Sequence, residues 1–333
     1  MILRALAILV LVAGNLSVAF AQQPVSVATQ RLSANGALFL AAMRGYFGAE
    51  GLDLTMGAYP TARDAVEALA AGRSQFALAA LSPAAFNLAG RGVIKAVAAQ
   101  TREWRDYEGD EVIAANAAYA HGLRKFADLA GKVVAVDALG SPVHFQLGEI
   151  ARAKGFKLAG VTVKPLYSFD DMAQAVADGT VDAAVLPSRY ARDLLVANQG
   201  RLIGWCSEIG TPQLGALFVS AKLIRTQHEM VEKFVRAYAR GVADYAKALL
   251  RHDRYGKRVS DTAAKQAAAD IARYVYPDSA AGAVTVAANA YYIDPKARLD
   301  AKDFARQLVW YEAQGFVKKN VMAGEIVDSE FFR

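Results

Sequence analysis

The sequence contains very little cysteine and histidine: Cys206 is the single cysteine, and there are four histidines in 333 residues. A lone thiol cannot form an internal disulfide bond, and no spacing of the HExxH type groups ligands for a metal. A P-loop, a GxGxxG turn after a strand and a GxSxG nucleophile motif are missing as well. The sequence thus predicts no catalytic residue, no metal site and no cofactor, and Cys206 is interpreted as a small buried apolar residue.

Long runs of one charge are also absent. The net charge is +6, with positive and negative residues interspersed along the chain. Binding of nucleic acid would need a concentrated stripe of Lys and Arg, so no nucleic-acid partner is expected. The small positive excess favours a weak attraction for anions.

Residues 1–21 have the pattern of a secretory signal peptide. A single early positive charge is followed by an apolar run, Ala5–Val12, and by Ala19 and Ala21 at a cleavage site. A membrane anchor is the alternative, but small and polar residues interrupt the run, which is shorter than the roughly 20 residues that span a bilayer. We expect cleavage, export and a periplasmic location.

Two stretches about a hundred residues apart follow the same pattern. Residues 68–83 (ALAAGRSQFALAALSP) and 175–188 (AVADGTVDAAVLPS) each contain a helix end, a glycine and a short apolar strand. The elements that precede them repeat too, from Val25 and again from Lys132. Apolar strands alternating with amphipathic helices are typical of parallel sheets covered on both faces. The sequence therefore predicts an α/β fold with two similar lobes.

The two predicted lobes divide the chain unequally. Lobe I comprises residues 22–113 and 214–333, because the largely helical C-terminal part is expected to pack on the first lobe; lobe II comprises residues 114–213. Crossings near Val112–Asn116 and Glu208–Leu214 would form a hinge. Ligands of open α/β sheets bind at the carboxyl ends of the strands, which predicts a cleft between the lobes.

Blocks along the whole mature chain resemble substrate-binding proteins of the nitrate, sulfonate and taurine ABC transporters, in the thiamine-pyrimidine-synthase-like superfamily. The resemblance implies a type II periplasmic binding protein, whose two α/β lobes close about a two-segment hinge on a small molecule. It also implies an ABC permease of the inner membrane as the partner, and we expect a monomer. The blocks are residues 34–56, 67–80, 128–150, 175–188, 228–245 and 291–332.

Candidate ligand-binding residues lie in the loops that follow the predicted strands. Helix N-termini with unpaired N–H groups attract anions, and arginine holds a carboxylate or sulfonate through two parallel hydrogen bonds. Hydroxyl and aromatic side chains at the same edge can fix a planar ligand. The predicted set is Arg31, Ser33, Asn35, Tyr59, Thr61, Ser82, Gln100, Arg102, Ser141, His144 and Arg189.

Some of these residues also have a plain structural interpretation. Ser33 or Asn35 can cap the first helix of lobe I, and Ser141 can cap its counterpart in lobe II, where Pro142 suits the first helical position. His144 can donate a hydrogen bond to an anion or respond to pH.

Aromatic residues near the predicted cleft leave room for a ring in the ligand. Phe145, Trp104 and Tyr167 are candidates for its walls, whereas Trp205 is interpreted as a packing residue.

The predicted function is capture of a small organic anion, a carboxylate or a sulfonate, without catalysis. A neutral thiamine-pyrimidine precursor is the alternative ligand, and it would require acidic and aromatic contacts instead of arginines. The sequence is also compatible with an enzyme on the same fold, and with a sensory protein that passes its closed form to a receptor.

Overall fold

The computed structural model describes residues 22–318 and 321–332, so the predicted signal peptide lies outside the described residues. The strands of this part are β1 Gln23–Thr29, β2 Leu52–Ala58, β3 Phe76–Ala80, β4 Ile94–Ala99, β5 Asp110–Ala115, β6 Val133–Val136, β7 Thr162–Pro165, β8 Ala183–Pro187, β9 Gly200–Trp205 and β10 Gly215–Ser220. The α-helices are α1 Gly36–Met43, α2 Tyr46–Ala49, α3 Ala62–Ala70, α4 Pro83–Gly90, α5 Asn116–Ala120, α6 Pro142–Lys154, α7 Phe169–Ala177, α8 Ser188–Val196, α9 Ala221–Thr226, α10 His228–Leu249, α11 Thr262–Val275, α12 Gly282–Ala288, α13 Ala301–Ala313 and α14 Ala323–Ile326.

The strands form two five-stranded sheets with matching topology. The order is β2-β1-β3-β10-β4 in the first sheet, which defines lobe I, and β7-β6-β8-β5-β9 in the second, which defines lobe II. In each lobe the first strand pairs in parallel with the second and third, so the predicted repeat is confirmed. Gly72 and Gly179 follow the equivalent helices α3 and α7 with φ of 72° and 69°, a conformation that glycine adopts without strain.

The sheets are mixed rather than purely parallel as the sequence predicts. β10 lies between β3 and β4 and runs antiparallel to both, and β5 lies in the same way between β8 and β9. Each of these two strands begins where the chain arrives from the other lobe, which explains why their direction is reversed. The apolar composition of a fully buried strand does not reveal its direction.

The chain crosses between the sheets at residues 100–109 and 206–214. The first crossing therefore precedes the predicted one, because Val112–Asn116 belongs to β5 and the start of α5; the second agrees with the prediction. The crossings pair as a short antiparallel ribbon at Arg102 and Gln213. The Gln213 side chain donates to three backbone carbonyl groups of the ribbon at 2.9–3.1 Å, which fixes its position.

Lobe I has an apolar core on both faces of its sheet. One cluster lies under α1, α10 and α11, where the rings of Phe76 and Phe234 stack at 3.7 Å. The other lies under α3, α4 and α13 around Phe86 and Tyr311. Lobe II has a single large cluster that includes Leu147. The C-terminal helices thus thicken lobe I. None of the described helices is long and apolar enough to cross a membrane.

Candidate ligand-binding cleft

The loops at the carboxyl ends of the strands from the two lobes face each other. Ser82 caps α4 and Ser141 caps α6, with each hydroxyl accepting the N–H three residues later, at 3.4 and 3.2 Å. Gly140, next to Ser141, lies so close to lobe I that a Cβ atom there would be 2.6 Å from Cγ of Pro83. The predicted cap at Ser141 is confirmed, and the two capping loops close one side of the cleft.

Helix α13 of lobe I packs against α6 of lobe II beside these loops. The Trp310 indole fills the notch at Gly148, where there is no room for a side chain. The same ring meets Phe145 edge-on at 5.3 Å, and Arg306 forms an ion pair with Glu149. Phe145 is 1% exposed, so it supports the contact between the lobes.

A buried polar cluster lies where the first crossing enters lobe II. Tyr291 and Gln146 each donate a hydrogen bond of 2.6 Å to a carboxyl oxygen of Asp110. The Asp110 backbone N–H donates to Glu103 at 2.8 Å. Tyr291 belongs to the C-terminal part of the chain and Gln146 to α6, so Asp110 joins side chains from both lobes.

The carboxyl groups of this cluster have perturbed pKa values. Burial, followed by the neighbouring charge of Asp110, raises the pKa of Glu103 well above its usual range. Burial also raises the pKa of Asp110, against the hydrogen bonds from Tyr291 and Gln146, and raises that of Glu111 to about 7. Within residues 22–318 and 321–332, no ion pair shorter than 4.0 Å reaches these three carboxyl groups. Burial therefore favours the protonated form of all three carboxyl groups, and a protonated carboxyl group can donate as well as accept a hydrogen bond.

Two further polar atoms lack a hydrogen-bond partner among the described residues. They are Oδ1 of Asp137, at the end of β6, and the hydroxyl of Tyr311 on α13. Burial raises the pKa of Asp137 to about 6, against a hydrogen bond from Ser141. Burial and the charge of Asp137 raise the pKa of Tyr311. Buried polar groups are normally paired, so these two atoms are exceptions within the interior.

His144 is buried and does not respond to pH near neutrality, whereas its predicted hydrogen bond to a ligand stays a prediction. Its Nδ1 accepts the backbone N–H of Gly140 at 2.9 Å, and its ring stands edge-on to Trp310 at 5.2 Å. Burial lowers the pKa of His144 to about 4, so the imidazole is neutral at physiological pH. It is thus a packing residue that holds the capping loop, and neither a cationic donor nor a sensor at neutral pH.

Asn35 and Gln100 come together as buried neighbours. The Gln100 amide donates to the Asn35 side-chain oxygen, and the Asn35 amide donates to the Gln30 carbonyl at 2.8 Å. Asn35 occupies the N-cap position of α1, but neither its side chain nor that of Ser33 makes a capping hydrogen bond, so the predicted cap is wrong. The reason is that Asn35 bonds across to the end of β4 instead.

The three predicted arginines have different surroundings. Arg102 is committed to the hinge, since it donates to the Thr211 carbonyl and pairs with Asp300 at 3.4 Å. Arg31 is exposed in the loop after β1. The Arg189 guanidinium lies over the rings of Tyr190 at 4.8 Å and Tyr276 at 5.3 Å.

The remaining predicted residues lie at the edge of lobe I. Thr61 caps α3, accepting the Asp64 N–H at 3.1 Å. Tyr59 is half-buried against Gly57, at the end of β2. Ser33 begins a short three-ten helix, Ser33–Asn35. The ligand contacts of all these residues stay predictions.

The other aromatic candidates differ in exposure and in position. Tyr167 is 79% exposed at the lobe II edge of the cleft, with φ of 60°. Trp104 stacks on Tyr292 at 4.8 Å beside the hinge. Trp205 is half-buried and lines a separate cavity.

Sequence reasoning missed the buried cluster of Glu103, Asp110, Gln146 and Tyr291. Asp110 and its neighbour Glu111 open an otherwise apolar strand, DEVIAA, and that contrast is a usable signal. Gln146 and Tyr291 carry no local signal, because only the tertiary fold brings them to Asp110.

Solved structures with this fold share little sequence identity with the chain. The periplasmic aliphatic sulphonate binding protein SsuA from Escherichia coli is 16% identical, with a TM-score of 0.70 over 93% of this chain and 99% of that chain. The alkanesulfonate-binding protein SsuA from Xanthomonas axonopodis pv. citri, bound to MOPS, is 19% identical, with a TM-score of 0.66 over 93% and 100%. The desulfurization enzyme DszB is 15% identical, with a TM-score of 0.63 over 93% and 97%. The fold is therefore that of periplasmic binding proteins, and it also supports an enzyme.

No curated protein sequence matches the chain. A family model described as NMT1/THI5 like matches residues 34–248, more than half of the chain. With the two-lobed architecture, this match confirms the predicted resemblance. The chain belongs to the NMT1/THI5-like family.

Proposed function

We propose that the protein is a periplasmic solute-binding protein of an ABC importer. The observation that carries this proposal is the buried cluster at Asp110, in which side chains from both lobes meet at the hinge. A ligand placed between the lobes would touch both of them and favour the closed form, since a ligand shifts a conformational equilibrium by its differential affinity. Export through a cleaved signal peptide, action as a monomer and delivery to a membrane permease are parts of the same proposal.

The proposed ligand is a small organic anion with a carboxylate or sulfonate group. Arg189 supports it, because this guanidinium lies between Tyr190 of lobe II and Tyr276 of lobe I. Among the described residues, this guanidinium forms no ion pair within 4.0 Å. An anion at Arg189 would thus contact both lobes, and the two tyrosine rings suit a ligand with an aromatic ring.

A second candidate is a neutral, donor-rich heterocycle such as a thiamine-pyrimidine precursor. The carboxyl groups of Asp110, Glu111 and Glu103 favour it, because they lie buried where the first crossing enters lobe II and form no ion pair among the described residues. Ring N–H and amino groups can satisfy such acceptors. Both candidates use the same cleft and differ in which wall binds the polar end.

We also propose that the protein binds its ligand without turnover. Burial raises the pKa of the Cys206 thiol well above its usual value, which makes it a poor nucleophile. His144 bonds to a backbone N–H and not to a nucleophile. Incubation of the purified protein with each bound compound, followed by mass spectrometry of the small molecule, tests this; a released product contradicts it.

The binding experiment is a thermal-shift screen of mature protein that has been stripped of ligand by unfolding and refolding. The panel contains aliphatic and aromatic carboxylates, aliphatic and aromatic sulfonates, nitrate and an aminopyrimidine. A ligand at a thousandfold excess over its Kd stabilises the native state by about 4 kcal/mol. We expect an anion to give the largest shift.

Three variants assign the binding site. Arg189→Ala should weaken anion binding at least tenfold, about 1.5 kcal/mol, whereas Arg63→Ala on the exposed face of α3 should not. Stabilisation by the aminopyrimidine alone, lost in Asp110→Asn, would replace the first candidate by the second. A refolded protein that responds to no compound would contradict both.

A further inference from the structure

A cavity of about 550 Å³ lies at the hinge, outside the cluster at Asp110. The first crossing contributes Arg105 and Tyr107 to its wall, and the second lobe's last strand and the second crossing contribute Trp205 and Ser207. The turn after α10 contributes His252 and Arg258. We call it the hinge cavity. Its volume is that of a pocket for a small molecule, about 300–1,000 Å³.

The apolar wall of the hinge cavity is held in place. The Tyr107 ring meets His252 edge-on at 4.8 Å and Tyr292 at 5.1 Å, and its hydroxyl donates to the Leu250 carbonyl at 3.0 Å. The backbone of Trp205, on the same wall, is held by its N–H, which donates to Glu208 at 2.8 Å. The Tyr107 ring is a preformed surface for a planar group, which lowers the entropic cost of binding.

The polar groups of the hinge cavity that form no hydrogen bond are donors. Within residues 22–318 and 321–332, the Arg105 guanidinium, the Trp205 indole N–H and the Ser207 hydroxyl form no hydrogen bond, although Ser207 is only 6% exposed. The Nε of Arg258 is buried and also lacks a partner there. The other nitrogens of Arg258 hold the Ala290 carbonyl, at 3.1 Å, and Glu108.

Most carboxylates of the hinge cavity already have a partner for an ion pair or a hydrogen bond. Glu108 pairs with Arg258 and lies 3.8 Å from Arg192, and Glu208 accepts the Trp205 N–H. Asp106 and Arg105 are both exposed at the rim, so solvent screens both charges. The buried donors without a partner, the Ser207 hydroxyl and the Nε of Arg258, lie beside the aromatic rings and match a ligand that combines a planar apolar body with an anionic acceptor.

We propose that the hinge cavity is a second binding site, separate from the cleft, for a small aromatic carboxylate. The ring lies against Tyr107 and Trp205, and the carboxylate accepts hydrogen bonds from Arg105 and Ser207. This site does not depend on the identity of the cleft ligand.

Indole N–H signals in a nitrogen–proton correlation spectrum test this proposal with benzoate as the probe. The three tryptophans are Trp104, Trp205 and Trp310, and Trp205→Phe assigns the relevant signal. We expect benzoate to shift the Trp205 signal saturably below about 10 mM, as a Kd of about 1 mM or less requires. Benzylammonium, of similar size and opposite charge, should leave this signal in place.

Matched variants separate the hinge cavity from the cleft. Arg105→Ala and Ser207→Ala should each weaken benzoate binding at least fivefold at the Trp205 signal. Arg254 is exposed in the turn after α10 and is not part of the cavity wall. Arg254→Ala, and Arg189→Ala in the cleft, should leave that titration unchanged. An unmoved Trp205 signal, an equal response to benzylammonium or an unaltered Kd in Arg105→Ala would each overturn the proposal.

Discussion

Strands β5 and β10 occupy equivalent positions in the two lobes but differ in what they bury. Asp110 of β5 pairs with the last residue of β8, just as Gly215 of β10 pairs with the last residue of β3. The next equivalent pair is Glu111 and Ala216. Burying a carboxyl group costs free energy, and lobe I forms the same strand without one. The carboxyl groups of β5 are therefore not required by the fold, and that of Asp110 serves the contact between the lobes.

The two lobes fill the same position in different ways. In lobe I the Gln100 side chain occupies the space above Gly215, where a Cβ atom would collide with it. In lobe II the Asp110 side chain itself fills the position and binds Tyr291 and Gln146. At this equivalent position, lobe I thus holds the side-chain amide of Gln100, which comes from a neighbouring segment, and lobe II holds the carboxyl group of Asp110.

The strongest way to break this comparison is Gly215→Ala. The new methyl group would collide with the Gln100 side chain and with the Ala79 carbonyl oxygen, 2.7 Å from its position. We expect a loss of about 3 kcal/mol in the free energy of unfolding, as for overpacked cores. Urea denaturation measures it, with the exposed Gly324→Ala, which meets no atom within 4 Å, as the control. A loss below about 1 kcal/mol would show that Gln100 moves aside easily.

Glu111→Gln sharpens the comparison through pH. Burial raises the pKa of Glu111 from 4.5 to about 7, so the folded state binds a proton more tightly than the unfolded state. Its contribution to stability is present below pH 4.5 and is lost as the pH rises through 7. We expect the substitution to stabilise the protein at pH 8 by about 3 kcal/mol and to have little effect at pH 4.

Thermal denaturation at the two pH values checks this expectation. Glu67→Gln on the exposed face of α3 is the control and should show no such difference. An equal effect of Glu111→Gln at both pH values would mean that the gain comes from packing and not from the proton.

The smallest expected change in stability concerns the N-cap hydrogen bonds of two equivalent helices. Thr61 caps α3 and Ser168 caps the equivalent helix α7, accepting an N–H at 3.1 and 3.3 Å. Thr61→Ala and Ser168→Ala should each cost about 1 kcal/mol. Chemical denaturation of both variants, with Thr61→Ser as the conservative control, measures the two losses. Costs that differ by more than about 1 kcal/mol would show that the lobes are not equivalent at this position.

Local patterns predict much of this molecule. The glycine that follows a helix and precedes an apolar strand marks Gly72 and Gly179, and both adopt the left-handed conformation. Ser141 before Pro142 is a local signal for a helix start, and the structure confirms it. Both signals depend on residues that are neighbours in the chain.

The buried contacts of the candidate cleft could not be predicted in this way. Asn35 looks like a helix cap in the sequence, but Gln100 takes its side chain, 65 residues away. Tyr291 reaches Asp110 across 181 residues. A hydrogen bond to a distant partner replaces the local one, and a single sequence does not show which of the two forms.

Helix α13 touches the molecule at two functional places. Its residues Asp303 and Gln307 bind the backbone of Gln213 in the hinge ribbon, at 2.7 and 2.8 Å. Further along the helix, Trp310 fills the notch of lobe II at Gly148. A helix that is bound to the hinge and also packs on lobe II can limit how far lobe II turns towards lobe I. We therefore expect the contact of the Trp310 indole at Gly148 to set the angle at which closure ends.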